Sequence, residues 1–195
     1  QNTRGSEAEG LSKFVDLFYD QYPVLELNGR KVSDVYGACY SNWHYLQEKK
    51  VGSPKVRVYN PTLEEDGWLS PHTIVVVLQK DMPFLVDSIR MEMNRNNIAI
   101  HSVKSTIANI GRNSEGVLES FEAAQNNADK TNQEALVYLE INRLIDADSL
   151  KEMKANLIDI LGDVESVVVD YSPLTSQLAK TATQLNQASA DFDQS

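Results

Sequence analysis

Between His72 and Tyr171 the apolar residues switch repeatedly between a strand-like and a helix-like period, and few folds accommodate that order. His72 to Gln79 is β-branched and apolar on both faces, which predicts a strand buried on both sides. Asp81-Met82-Pro83 turns the chain, with Pro83 suited to the first turn of a helix carrying Leu85, Val86, Ile89 and Met93 on one face. The Asn94 to Asn97 cluster stops that helix. Ile98, Ile100, Val103 and Ile107 then mark a long strand whose alternation slips between Ile100 and Val103, which predicts a bulge. Gly111 to Glu134 is polar and reads as a long connection, partly ordered at best. Ala135 to Arg143 resumes as a strand, with Val137, Leu139 and Ile141 on one face. Asp146 to Ser149 carries N-cap chemistry before a helical stripe of Leu150, Met153, Leu157 and Leu161. Gly162 stands where a left-handed C-terminal cap is expected, and Val164 to Tyr171 reads as a last strand. The resulting order is strand, helix, strand, strand, helix, strand. That is the α+β, ferredoxin-like βαββαβ sandwich, with four antiparallel strands and both helices on one face.

The flanks are helical. Leu11, Phe14, Val15 and Phe18 share one helix face, and Tyr22-Pro23 ends the run. A second helix starts near Ser33, a plausible N-cap, with Tyr36, Cys39, Trp43 and Leu46 on one stripe. Cys39 within that stripe reads as a small buried hydrophobe. Lys55 to Tyr59 alternates as a short strand, punctuated by Asn60-Pro61. Glu64-Glu65-Asp66-Gly67 reads as an exposed turn beside an anchoring Trp68. At the other end Ser172-Pro173 can start a helix with Leu174, Leu178, Thr181 and Leu185 at helical spacing. The predicted division is therefore residues 1–54 as a helical lead-in packing on the sandwich, 55–171 as the sandwich, and 172–195 as a helix leading into a further domain. Gln1 in place of an initiating Met fits an excised or processed piece.

Charge and motifs narrow the function. The 195 residues carry a formal charge of −10, and residues 113–171 alone hold 13 acidic against 4 basic side chains. Such a balance argues against a nucleic-acid backbone partner, which needs clustered Lys and Arg. No apolar run reaches the roughly 20 residues of a membrane-spanning helix, and no signal-peptide layout opens the chain. With a single cysteine, a reducing cytoplasm is the expected compartment. Neither a Gly-rich phosphate loop nor GxGxxG, HExxH or paired CxxC occurs, so no catalytic, cofactor-binding or metal-ligating residue is expected in this segment. His44, His72 and His101 read as packing or surface histidines. Ser70 and His72 lack a visible third group for a hydrolase triad, and Glu64, Glu65 and Asp66 read as solvated carboxylates. The aliphatic strands do not suit an RNA-binding sheet, and Lys80-Asp81-Met82-Pro83 lacks the arginine of an acylphosphatase-type loop. A small-molecule or protein interaction module remains.

The stretch Val56-Arg57-Val58-Tyr59-Asn60-Pro61 through Glu64-Glu65-Asp66-Gly67-Trp68, then Ser70-Pro71-His72-Thr73, is distinctive. Together with Asp81-Met82-Pro83-Phe84-Leu85-Val86-Asp87-Ser88, it closely resembles the amino-terminal region of the large, bacterial-type NAD-specific glutamate dehydrogenases. Asp34-Val35-Tyr36-Gly37, Trp43 and the Ile98-to-Val103 strand resemble that family too. The resemblance implies a homo-oligomeric parent enzyme that interconverts glutamate and 2-oxoglutarate with NAD, its catalytic domains lying downstream. It also implies ACT-like regulatory modules in this region. In ACT domains that bind amino acids, the loop after the first strand commonly reads Asp-x-Pro-Gly-Leu; Asp81, Pro83 and Leu85 match, and Phe84 replaces the glycine. Asp81, Met82, Pro83, Phe84, Asp87 and Ser88 are thus the candidate effector or interface residues. The competing expectation is that Asp81 caps the helix while Pro83 and Phe84 fix the turn and core. Two functions follow: a non-catalytic regulatory or assembly segment, or an amino-acid-sensing module.

Overall fold

A computed structural model describes residues 3–20, 27, 29–50, 52–124 and 132–192, with side chains described within these from residue 8 to 169 and at Thr181. In chain order the elements are α1 (Thr3–Tyr19), α2 (Val32–Leu46), β1 (Lys55–Tyr59), β2 (Thr73–Lys80), α3 (Leu85–Arg95), β3 (Ile100–Arg112), β4 (Leu118–Ala123), β5 (Gln133–Ile141) and α4 (Ala147–Phe192). The strands form one antiparallel sheet in the order β1-β2-β5-β3-β4.

The split βαβ frame is β2, α3, β3, β5 and α4, and the α+β ferredoxin-type, ACT-like class holds. Its fourth strand does not come from Val164 to Tyr171, which is helix. Instead β1 occupies the edge beside β2, pairing Lys55 with Leu78 and Tyr59 with Ile74. Helix α4 continues without a break past Gly162, which is therefore no C-cap, and past Ser172-Pro173, which starts no new helix. The reason is visible in the side chains: Val164 completes the buried stripe of Met153, Leu157 and Leu161, while Val167 and Val169 are exposed. Three β-branched residues in a row favour a strand only where a sheet edge is free to receive them, and β1 already fills that edge.

The polar stretch from Gly111 to Glu134 is also more ordered than its composition predicts. It contains the end of β3, the hairpin strand β4 and the start of β5. The turn is tied by Asn113, whose side-chain oxygen accepts from the Glu115 and Val117 amides at 3.0 Å each. Residues 125–131, in the same stretch, lie outside the described part. The expected bulge in β3 is present, as a register slip between Ile100 and Ser102.

Both faces of the sheet are covered. Val75, Val77, Val137, Leu139 and Ile141 meet Leu85, Ile89 and Met93 of α3 and Met153, Leu157 and Leu161 of α4. On the opposite face Ile74, Val76, Leu78, Leu136 and Tyr138 meet Phe14 and Phe18 of α1 and Cys39, Trp43 and Leu46 of α2. Among the described residues the cover is close over β2 and β5, while β4 buries only Phe121. Trp68 is 2 % exposed and anchors this second layer, as its position beside the turn predicts. The α2 stripe is corrected in two places. Tyr36 is 63 % exposed and stacks on Tyr40 instead of entering the core. The helix starts at Val32 with Lys31 as an N-cap whose side chain makes no capping bond, so Ser33 lies inside the first turn. Cys39 is buried, and burial pushes its thiol up to about 12. The Tyr22-Pro23 helix end lies outside the described residues.

Candidate functional site

The loop from β2 into α3 brings Asp81, Met82, Pro83 and Phe84 around the turn, with Asp87 and Ser88 on the first turn of the helix. The Asp81 amide donates to the Gln133 carbonyl at 2.8 Å, tying the loop to the start of β5. Phe84 is the N-cap, with φ 67° and ψ 0°, and no side chain caps the helix. Asp81 therefore does not act as the cap, and Pro83 precedes the helix. Phe84 is 57 % exposed, so it does not fix the core either. The position holds the left-handed backbone that glycine adopts without strain and an L-side chain adopts at a cost. Met82 is half-buried, and its sulfur receives a 3.8 Å contact from Gln79 Nε2. Asp87 faces solvent at the helix start, where a negative charge suits the helix dipole.

A second polar group lies on the opposite sheet face. Glu140 is 1 % exposed in β5 and takes a bidentate pair from Arg30 at 2.6 and 2.8 Å, plus the Tyr138 hydroxyl at 3.0 Å. Burial alone would raise the Glu140 carboxyl, but Arg30's hydrogen bonds and charge outweigh it and hold the group below the usual carboxylate range. Lys104 Nζ sits 4.7, 5.6 and 5.0 Å from the ring centroids of Phe18, Tyr19 and Tyr138. Burial pushes that ammonium down to about 7, against the pull of Glu140. Arg30, Glu140 and His72 also line a cavity of about 370 Å³ between the α2 start and the Trp68 turn.

His72 and His101, far apart in sequence, stack with ring centroids 4.1 Å apart, an approach their spacing does not reveal. Burial, then His101, lowers His72 below the usual imidazole value. Ser70 serves the backbone, accepting from the His72 amide at 3.0 Å. Asp66 is not a solvated carboxylate: its side chain is buried, paired with Arg57 at 2.7 Å, and closes the turn onto the Thr62 amide. Among the described residues no group of His, Cys, Asp and Glu is arranged to hold a metal ion. No described helix is long and apolar enough to cross a membrane.

Neither Glu140 nor Arg30 is singled out by the sequence reading; the available signal for Glu140 is a lone carboxylate between Leu139 and Ile141 in an apolar strand, and nothing marks Arg30. The antiparallel sheet, with α3 following β2 and α4 following β5, defines an ACT-like, ferredoxin-type α+β domain. Residues 14–157 match the family described as glutamate dehydrogenase, ACT1 domain, and the chain belongs to it. It is 36% identical over 179 residues to the NAD-specific glutamate dehydrogenase of Halomonas elongata, and 36% identical over 178 residues to that of Pseudomonas aeruginosa. These alignments cover 92% and 91% of the chain but only 11% of each relative.

Proposed function

We propose that this chain is the non-catalytic amino-terminal regulatory or assembly segment of a large NAD-dependent glutamate dehydrogenase. The observation that carries the reading is the disproportion of the alignments: nearly all of this chain matches, yet it spans about a tenth of each relative. Oxidative deamination of glutamate to 2-oxoglutarate, and the NAD that accepts the hydride, then belong to downstream domains of the same polypeptide. A cytoplasmic homo-oligomer fits this reading. The test is direct. The purified chain should show no glutamate-dependent NAD reduction, whereas the full-length polypeptide should; turnover by the chain alone overturns the proposal.

A second reading, that the Asp81-to-Ser88 loop senses an amino-acid effector, is favoured by the backbone at Phe84. The loop keeps the glycine-like conformation although the residue is phenylalanine. The exposed ring then stands where a ligand would approach the turn. Calorimetry against a panel of amino acids tests this reading, with heat expected for at least one. A flat response at millimolar ligand returns the loop to a purely structural or interface role.

A further inference from the structure

At the end of the sheet a cavity of about 290 Å³ opens where β2 finishes, β5 starts and the β3–β4 turn meets the connection after α2. That is near the lower bound of small-molecule sites, roughly 300–1,000 Å³. Its walls include Lys49, Gln79, Lys80, Arg112, Glu134 and Glu165. The charges there are unevenly matched. Arg112 grips both oxygens of Glu134 at 3.0 and 2.9 Å and gives two further N–H groups to the carbonyls of Gly116 and Leu46, which commits four of its five donors. Arg112 thereby balances the charge of Glu134. Lys49, with a side chain 7 % exposed, reaches the same carboxylate only at 3.4 Å, its one ion-pair partner among the described residues. Two buried cations thus share one buried carboxylate. An ammonium that far out of water, with donor capacity left over, is costly unless an anion completes its shell. Across the end of the sheet, on the face of Val75 and Val77, Gln79 also borders the cavity; it is 3 % exposed and its side-chain oxygen has no hydrogen-bond partner among the described residues.

We propose that this cavity is a binding site for a small monocarboxylate carrying a hydrogen-bond donor, its carboxylate on Lys49 and its donor toward Gln79 or Glu165. Monoanions are selected because the buried group carries a single surplus positive charge. Glu165 on the wall opposes a second negative one, while the exposed Lys80 draws anions to the mouth. The site is distinct from the Asp81-to-Ser88 loop and does not depend on the enzymatic reading.

The probe is L-lactate, with acetate and inorganic phosphate as comparisons, titrated into the isotope-labelled full chain at ionic strength fixed with chloride. Lactate should shift the amide signals of Gly52, Gln79 and Glu134 and leave those of Phe84 to Ser88 unmoved, with acetate weaker and phosphate weakest. At ten times the dissociation constant, mass action raises the melting temperature by about 3–6 °C. Lys49→Met should weaken lactate at least about tenfold, the value of one charge-assisted hydrogen bond, without unfolding the chain because Arg112 still pairs Glu134. Lys49→Arg should keep most of the affinity. Lys80→Gln, at an exposed position, should slow and weaken binding with no change in the unliganded fold. No perturbation by lactate overturns the proposal, as does an undiminished response in Lys49→Met. A response to phosphate alone overturns the carboxylate assignment, and shifts confined to Phe84–Ser88 place binding at the loop instead.

Discussion

Arg30 and Glu140 meet across 110 residues of sequence, and their pair shows how a single charge can be tolerated in a sheet. The carboxylate is buried, so removing its partner leaves a desolvated charge with the Tyr138 hydroxyl and the more distant Lys104 to favour it. Arg30→Met is expected to lower stability by about 2–4 kcal/mol, less than the roughly 3–5 for a fully buried pair because the Arg30 side chain is 34 % exposed. A urea-denaturation midpoint unchanged from wild type would refute this. Lys104 behaves in the opposite sense. Burial lowers its folded value to about 7 from an unfolded 10.5, so between these values the unfolded chain holds a proton that the folded chain has lost. Stability attributable to Lys104 therefore rises as pH climbs from about 7. Tyr19, Tyr45 and Tyr138, all raised by burial, act with the opposite sign above their ordinary value of 10, which closes the useful window. Denaturation across this window should show wild type gaining about 1–2 kcal/mol between about pH 7 and 9, less than the full linkage because the Phe18, Tyr19 and Tyr138 rings favour the ammonium. Lys104→Met should flatten that gain, and parallel profiles for the two proteins would count against the assignment.

Elements were read from the sequence more securely where one face was apolar than where context decided. The bulge in β3, the α3 stripe and the Asp146 cap were legible because each depends on neighbours in sequence. The Ser149 amide, for instance, donates to Asp146 at 2.7 Å, as its spacing demands. Val164 to Tyr171 was not legible, because its fate rests on whether another strand already holds the edge beside β2. Val167 provides the test. On a buried strand, Val167→Gln would cost several kcal/mol; on the exposed side of α4 it should change stability by less than about 0.5 kcal/mol. The β2–α3 loop carries a similar mixture. Asp81 and Pro83 marked a turn correctly, but the left-handed conformation at Phe84 comes from the geometry joining strand to helix. Replacing Phe84 by glycine should raise stability by about 0.5–1 kcal/mol as strain is relieved, less the entropy glycine adds to the unfolded chain. A β-branched valine should instead lower it. Thermal midpoints in the order glycine, phenylalanine, valine would bear this out, and valine at or above phenylalanine would not.

At the scale of the whole molecule, the sheet is a partition between two cores that share strands but not side chains. Alternate residues of β2 and β5 point to α1 and α2 on one side and to α3 and α4 on the other. The lead-in helices are therefore not an ornament on a complete sandwich. Phe14 lies within 5.5 Å of Trp43 and 5.8 Å of Phe121, ring to ring, and Phe18 stands 5.7 Å from Tyr138. Without α1 a face containing Trp43, Phe121 and Tyr138 would be bare to water, and each lost phenylalanine costs about 3–5 kcal/mol against a total stability of about 5–15. Because the backbone ladder separates the layers, a cavity on one side has no side chain in common with a cavity on the other. Phe14→Ala and Leu157→Ala should each destabilise strongly, and their effects should add to within about 0.5 kcal/mol. Phe14→Ala with Phe121→Ala, within one layer, should depart from additivity by more, because the second substitution enlarges a cavity the first has already opened. The double-mutant cycle is read from denaturation midpoints at constant slope. Coupling across the sheet equal to coupling within one layer would mean that the strands transmit packing strain from face to face, and the lead-in helices would then act on the β2–α3 loop through the sheet.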